Sequence, residues 1–245
     1  MTELEAALLF FGGLGAGVVN TLAGGGSLLT VPLLVLIGLP GTLANGTNRI
    51  GVLIQNAVAA WRFRAEGVPG MRAALPLLLP VALGSALGAL AIARVADETF
   101  EQIFGLLMLA LLVPTLYGSR RGNQPPRPWP PVLRFALFFI IGVYGGAIQA
   151  GVGLVLVAAL SRAGLDLVEA NSVKVIVILV FTLPAVAVFL AAGHVVWAPA
   201  LVLAGGFAGG AALGARLAVR GGERVIRPVL LVSLVALAGR MLGLY

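Results

Sequence analysis

The sequence contains no cysteine, one histidine (His194) and one lysine (Lys174). Without cysteine there is no disulfide, no thiolate metal site and no thiol nucleophile. A single histidine forms no metal cluster, so neither a metal nor another cofactor is expected. Charge is scarce too: 10% of the residues are charged, against about 25% in an ordinary soluble domain. The nine acids, Glu3, Glu5, Glu66, Asp97, Glu98, Glu101, Asp166, Glu169 and Glu223, all lie at the ends of apolar runs or between them. Proton relays and cation paths through membranes generally use carboxylates inside the spans, and this chain has none there. Basic and amide groups without acids fit an anion instead. An enzyme embedded in the membrane would also lack a nucleophile, a base and a metal site.

What remains is apolar. The chain is 60% hydrophobic, with a mean hydropathy of +1.08, and runs of about 20 apolar residues, enough to span a bilayer, follow one another nearly end to end. The expected fold class is an all-α integral membrane protein surrounded by the lipid bilayer, in the cell inner (plasma) membrane. The net charge of +7 is not read as a nucleic-acid surface, because the basic residues fall between apolar runs, where they act as topology signals. The acidic start Met1-Thr2-Glu3-Leu4-Glu5 differs from a cleavable signal peptide, so the first apolar segment is expected to be retained.

The chain repeats itself. A shift of 126 positions (171 − 45 = 126) lays Gly25 on Gly151, Ala44-Asn45 on Ala170-Asn171, Gly67 on Gly193, Ala86-Leu87-Gly88-Ala89 on Ala212-Leu213-Gly214-Ala215 and Arg94 on Arg220, without a gap. Between the copies lies Pro125-Pro126-Arg127-Pro128-Trp129-Pro130-Pro131, too proline-rich to be a spanning helix. The organisation expected is a first repeat over 1–118, a cytoplasmic Pro/Arg-rich linker over 119–134 and a second repeat over 135–245. Each repeat starts with a long interrupted apolar stretch (5–37 and 133–163), either two short spans or a re-entrant hairpin. Three ordinary spans follow in each: 42–61, 73–93 and 100–118, then 169–191, 199–219 and 228–244. The total is 8–10 membrane segments.

Loop charges predict that the second repeat is inverted. Loop 62–72 carries Arg62, Arg64 and Arg72 against Glu66, while its counterpart 192–198 has no formal charge. Loop 94–101 carries Arg94 against Asp97, Glu98 and Glu101, while its counterpart 216–227 carries Arg216, Arg220, Arg224 and Arg227 against Glu223. Matching loops of opposite bias need opposite orientations under the positive-inside rule. Loops 62–72, 163–168 and 216–227 are then cytoplasmic and both termini lie outside. Trp61, Trp129 and Trp197 fall at predicted span ends, where indole rings prefer to sit. Inverted repeats of this kind are typical of transporters with a midplane site, though channels have them too.

The first interruption reads Asn20-Thr21-Leu22-Ala23-Gly24-Gly25-Gly26-Ser27. Consecutive glycines break a helix, Ser27 is placed to cap the next one, and the free N–H groups of a helix start attract anions. A tight turn between packed helices would use the same residues. The second interruption, Gln149-Ala150-Gly151-Val152-Gly153, brings an amide to the same depth. On the following helix Asn45, Asn48, Arg49, Gln55 and Asn56 share one face, and the repeat counterpart is Asn171-Ser172-Val173-Lys174. A lone lysine inside a span is a site candidate; snorkelling to the interface is the alternative for both Lys174 and Arg49. The candidate substrate-binding set is therefore Asn20, Gly24, Gly25, Gly26, Ser27, Asn45, Asn48, Arg49, Gln149, Asn171, Ser172 and Lys174. Its groups should converge on a central pocket about the size of one small anion, with Lys174, assisted by Arg49, neutralising the charge. His194 is expected to be an ordinary residue of an outer loop.

At Gly17-Val18-Val19-Asn20-Thr21-Leu22-Ala23-Gly24-Gly25-Gly26-Ser27-Leu28-Leu29-Thr30-Val31-Pro32, Ala44-Asn45-Gly46-Thr47-Asn48-Arg49, Gly151-Val152-Gly153 and Ala170-Asn171-Ser172-Val173-Lys174, the sequence resembles the sulfite exporter TauE/SafE family. The resemblance covers essentially the whole chain. It implies a permease for a small sulfur oxyanion or an organosulfonate: sulfite, thiosulfate or sulfoacetate. The residues alone lead only to a small anion, with a passive channel as the alternative, and leave direction, coupling ion and oligomeric state open.

Overall fold

A computed structural model of the chain describes residues 1–104, 106, 130–222, 224, 225 and 228. Among these every regular element is helical, as expected of backbone that has no water to bond to in a bilayer. The helices are α1 (Glu3–Leu22), α2 (Ser27–Leu36), α3 (Gly41–Ala65), α4 (Met71–Ile92), α5 (Pro131–Ala147), α6 (Val152–Arg162), α7 (Leu167–Ala191) and α8 (Trp197–Gly221). The interruptions read from the glycines fall between α1 and α2 and between α5 and α6. The expected spans 100–118 and 228–244 and linker 119–134 lie outside the described residues, apart from 100–104, 106, 130–134 and 228.

Local sequence sets the helix ends. Thr2 and Glu5 form a reciprocal capping box at the start of α1, and Asp166 and Glu169 do the same for α7, so two otherwise free N–H groups at each end are bonded. Pro131 opens α5, where a missing N–H costs nothing. No side chain of α3's own start caps it. Asp97, from the segment after α4, takes that place: its Oδ1 accepts from Thr42 N at 2.9 Å and Thr42 Oγ1 at 2.6 Å.

Four helices, α1, α4, α7 and α8, are long and apolar enough to cross a membrane by length and composition. On α4 the leucines at 75, 79, 83, 87 and 90 are all exposed, a continuous apolar stripe suited to lipid. Trp61 and Trp197 are exposed at the end of α3 and the start of α8, where the span-end reading put them; Trp129 lies outside the described residues.

In the packing, α1 lies along α8 and α4 along α5, while α3 packs on α8, α4 on α7, and α3 and α7 on each other. Exchanging α1–α4 for α5–α8 leaves this list unchanged. The central pair is antiparallel. The loop after α3 meets the start of α7, with Ser172 Oγ donating to Val68 O at 2.6 Å. The loop after α7 meets the start of α3, with Val196 N donating to Thr47 Oγ1 at 3.0 Å. Within the first pair, α2 folds back along α1: Gly26 lies against Ala16 and Asn20, and Leu33 reaches Gly12. The chain thus returns toward the end at which it entered.

The tight pairs rest on small residues. A Cβ at Gly88 would overlap the Val143 carbonyl of α5, and one at Gly210 the Leu14 carbonyl of α1, the close backbone approach that small-residue faces permit in membranes. Gly15, on the outer side of α1, has open space. Gly88→Leu is therefore expected to lower the detergent melting temperature by several degrees, on the scale of about 1–3 kcal/mol for overpacking, whereas Gly15→Leu leaves it nearly unchanged. Equal melting of the two variants would contradict this packing.

Asp97 yields a second expectation. Its carboxyl is held below the ordinary 3.8 by the hydrogen bonds from the Thr42 side chain and backbone, with a smaller contribution from His194. A depressed carboxyl stabilises the fold fully above its unfolded pKa, and that contribution fades as pH falls through the folded value. The melting advantage of wild type over Asp97→Asn should be present at pH 7 and shrink below about pH 4. An advantage that is independent of pH would show that Asp97 acts otherwise.

Candidate functional site

The first break is built around Asn20, in the last turn of α1. Its Oδ1 accepts from Gly26 N at 3.1 Å, and its Nδ2 donates to Gln55 Oε1 on α3 at 2.8 Å. Gly24 has φ 95°, the left-handed region natural to glycine. There the backbone of the first break touches that of the second. A side chain on Gly24 or on Gly153 would overlap the other residue's main chain. Gly25 O accepts from Leu28 N at 3.1 Å as α2 winds up. Ser27 does not cap α2 as its position suggested: it is the first helical residue, behind Gly26 at the cap. Its hydroxyl faces α3 instead, accepting from Asn48 Nδ2 at 3.3 Å, while Asn48 Oδ1 accepts from Thr30 Oγ1 at 2.6 Å.

Lys174, on α7, crosses to this break. Its Nζ donates to Asn20 O at 2.8 Å, Thr21 O at 2.9 Å and Asn171 Oδ1 at 2.6 Å. All three ammonium protons are used, and the residue has 0% exposure, so it does not snorkel. The carbonyls of a helix end carry partial negative charge, and here they replace the water that the ammonium has lost. In this conformation the ammonium is bound by protein oxygens and faces no open space.

Arg49, on α3, makes the reciprocal crossing. Its Nη1 and Nη2 donate to Gly145 O at 3.1 Å and Gly146 O at 2.6 Å, in the last turn of α5. Its Cζ stands 4.6 Å from the centroid of the Phe189 ring, and Asn45 Nδ2 donates to the adjacent Ala147 O at 2.8 Å. Each broken helix therefore ends on a cation supplied by the other half of the chain.

The second break is less completely bonded than the first. Gln149 has φ 65°, the sole non-glycine residue with positive φ among those described, and Gly151 follows at φ 70°. The Gln149 amide donates to Thr182 Oγ1 at 3.0 Å, which itself donates to Ile178 O at 2.6 Å. The hydroxyl of Tyr144 closes the turn onto Ala150 O. Gln149 Oε1 has no partner, and neither do Asn45 Oδ1 and Arg49 Nε, all buried.

The structure thus draws Asn20, Gly24, Gly25, Gly26, Ser27, Asn48, Asn171 and Lys174 around the first break, and Asn45, Arg49 and Gln149 around the second. Ser172 stands apart, bonded to Val68 O beside a cleft of about 420 Å³ between the loops near Val68–Gly70 and Leu165–Glu169. The expected central pocket is closed: Asn45, Asn48, Arg49, Asn171 and Lys174 have 0% exposure. Sequence reading left Thr30, Gln55, Thr182 and Tyr144 out of the set. Gln55 was legible on the polar face of α3. Thr30 had only its polarity in an apolar run to signal it, Thr182 its alignment with Asn56 across the repeat (182 − 56 = 126), and Tyr144 only its place one turn before the break.

A left-handed residue other than glycine costs about 1–2 kcal/mol. Gln149→Gly and Gln149→Ala both lose the bond to Thr182, but only alanine keeps the backbone cost. The glycine variant should melt above the alanine variant by about 2–4 °C per kcal/mol. Coincident melting curves would mean that Gln149 carries no strain.

Comparison with known proteins gives the family. The profile of the family described as "Sulfite exporter TauE/SafE" matches residues 9–241. A Sinorhizobium protein named "Probable membrane transporter protein ORF9" is 30% identical, over 97% of this chain and 92% of its own. A Haemophilus influenzae protein named "Probable membrane transporter protein" is 29% identical, over 96% and 93%. The Escherichia coli K12 protein named "Probable membrane transporter protein YfcA" is 25% identical, over 99% and 91%. No solved structure matches the chain at a significant level. With apolar helices stacked around two broken ones and a family match along nearly its whole length, the chain belongs to the TauE/SafE family and is a multi-pass membrane transporter rather than an enzyme.

Proposed function

We propose that the protein is a secondary permease for a small sulfur-containing anion, such as sulfite, thiosulfate or an organosulfonate like sulfoacetate, working by alternating access around the two helix breaks. The observation that carries this reading is the meeting of the breaks at Gly24 and Gly153, between the antiparallel α3 and α7. Irregular backbone at membrane depth is tolerated where it is enclosed by protein or lines a cavity, and paired broken helices mark transporter sites. The sulfur chemistry of the cargo follows the family description. The charge of the site fits it: amides, hydroxyls and two cations, with no carboxylate among them.

In this reading residues 1–118 and 135–245 are inverted repeats joined by a cytoplasmic linker over 119–134. The antiparallel central pair and the exchange symmetry of the packing support it. The protein sits in the inner membrane with both termini outside. The arginine-bearing loop after α3 and the loop before α7 share one face, which favours that orientation under the positive-inside rule. Asn20, Ser27, Asn48 and the amides of Gly24–Gly26, bonded largely to protein oxygens in this arrangement, exchange those bonds for the anion's oxygens when the site opens. Lys174 polarises the Asn20 peptide from behind and, with Arg49, balances the charge. Gln149, Asn45 and Asn171 line the walls, and Ser172 borders the loop cleft on the cytoplasmic side. The closed arrangement seen here is the sealed state between two openings.

Uptake of labelled sulfite, thiosulfate and sulfoacetate into proteoliposomes should be saturable for at least one of them and show counterflow. Ser27→Ala and Asn20→Ala should each weaken the apparent affinity about tenfold or more, as expected for a lost hydrogen bond to a charged partner. Flux that rises linearly with concentration and lacks counterflow would make the protein a channel. No uptake of any of the three would remove the sulfur assignment.

A further inference from the structure

The two cation crossings have a chemistry of their own. At the end of α1 three neutral oxygens, Asn20 O, Thr21 O and Asn171 Oδ1, converge on one point at 2.6–2.9 Å. At the end of α5 the Gly145 and Gly146 carbonyls lie in reach of one planar group at 2.6–3.1 Å, beneath the Phe189 ring. Carbonyl ends of broken helices are the groups with which transporters hold alkali ions. Neither set includes a carboxylate, and divalent cations are ordinarily held with carboxylates among six or more oxygens, so neither set suits one. The residues of both sets are buried, and carbonyls without a partner there would be costly. Lys174 and Arg49 occupy these positions from α7 and α3, each reaching across to the opposite half.

We propose that these are two monovalent-cation sites filled by the chain's own side chains. The first is sized for an ammonium ion, the second shaped for a flat guanidinium. The tethered cations fasten each broken helix to the opposite half, and the protein needs no dissolved cation to close its breaks. When a side chain is removed, the vacated oxygens take a dissolved cation of matching shape. This inference does not depend on which anion is carried.

The test is chemical rescue of Lys174→Ala and Arg49→Ala, extracted and melted in sodium, ammonium, methylammonium, guanidinium or N-methylglucamine chloride, with guanidinium kept at millimolar, non-denaturing levels. Lys174→Ala should gain several degrees of melting temperature in ammonium or methylammonium, saturably, and less in sodium, because a ligand of the native state alone stabilises by mass action. It should gain nothing in guanidinium or N-methylglucamine. Arg49→Ala should respond to guanidinium and not to sodium. Wild type should be indifferent to all five. Equal melting of a folded variant in every salt would overturn the proposal, as would a wild type stabilised as strongly as Lys174→Ala. Failure to recover the alanine variants in any of these salts overturns it too, since the dissolved cation should then have replaced the tethered one. Failed anion uptake alongside successful rescue would count against the proposed function and leave these sites standing.

Discussion

A helix broken inside a packed apolar bundle leaves the carbonyls of its last turn with neither a backbone partner nor water, and the rest of this structure is arranged around that deficit. Each unmet group would cost several kcal/mol in hydrocarbon. The chain breaks a helix twice, after Leu22 and after Ala147, and both ends are met by a basic side chain some hundred residues or more away in sequence. Burying a charge is itself expensive. The two costs offset one another only because helix ends and cations are complementary. That complementarity requires the halves to interlock, with α3 reaching the end of α5 and α7 the end of α1. The antiparallel central pair and the glycine-faced contacts of α1 with α8 and α4 with α5 bring them close enough to do so.

The two breaks share a fold but not a degree of satisfaction. Around Asn20 the amides and hydroxyls of Gln55, Ser27, Thr30 and Asn48 close into a bonded network. Around Gln149 the backbone is held at a positive φ, and three buried polar atoms, of Gln149, Asn45 and Arg49, have no partner. Groups left in that condition inside a protein mark places where a ligand, a water or a second conformation completes the bonding. The first break is thus the more completely bonded of the two.

Much of the fold was written in local pattern. The spans, the glycine breaks and the start of α7 depend on apolar run length, helix-breaking residues and capping pairs a few positions apart. The element bounds accordingly fall within a few residues of those expected. The polar face of α3 was legible for the same reason, since helical spacing puts Asn45, Asn48 and Arg49 on one side. Repetition at 126 residues pairs α1–α4 with α5–α8, an exchange that leaves the list of packed pairs unchanged. The family, too, could be read from the motifs of the first break and the start of α3.

What the residues touch was a different matter. Lys174 stood out in the sequence as a lone buried lysine, yet nothing near it names the carbonyls of Asn20 and Thr21, 154 and 153 positions away. Ser27 looked like a cap until α3 offered it Asn48, and Ser172 looked like a wall of the centre until the loop after α3 took its hydroxyl. Asp97 carried no local sign that it would cap a helix 55 residues earlier. Composition and periodicity determined that this chain is a helical membrane protein with two broken helices and where they break, because those depend on interactions between neighbours in sequence. Only the tertiary structure decided which oxygens each buried cation would meet, because those bonds form between segments that the folding of the two halves alone brings together.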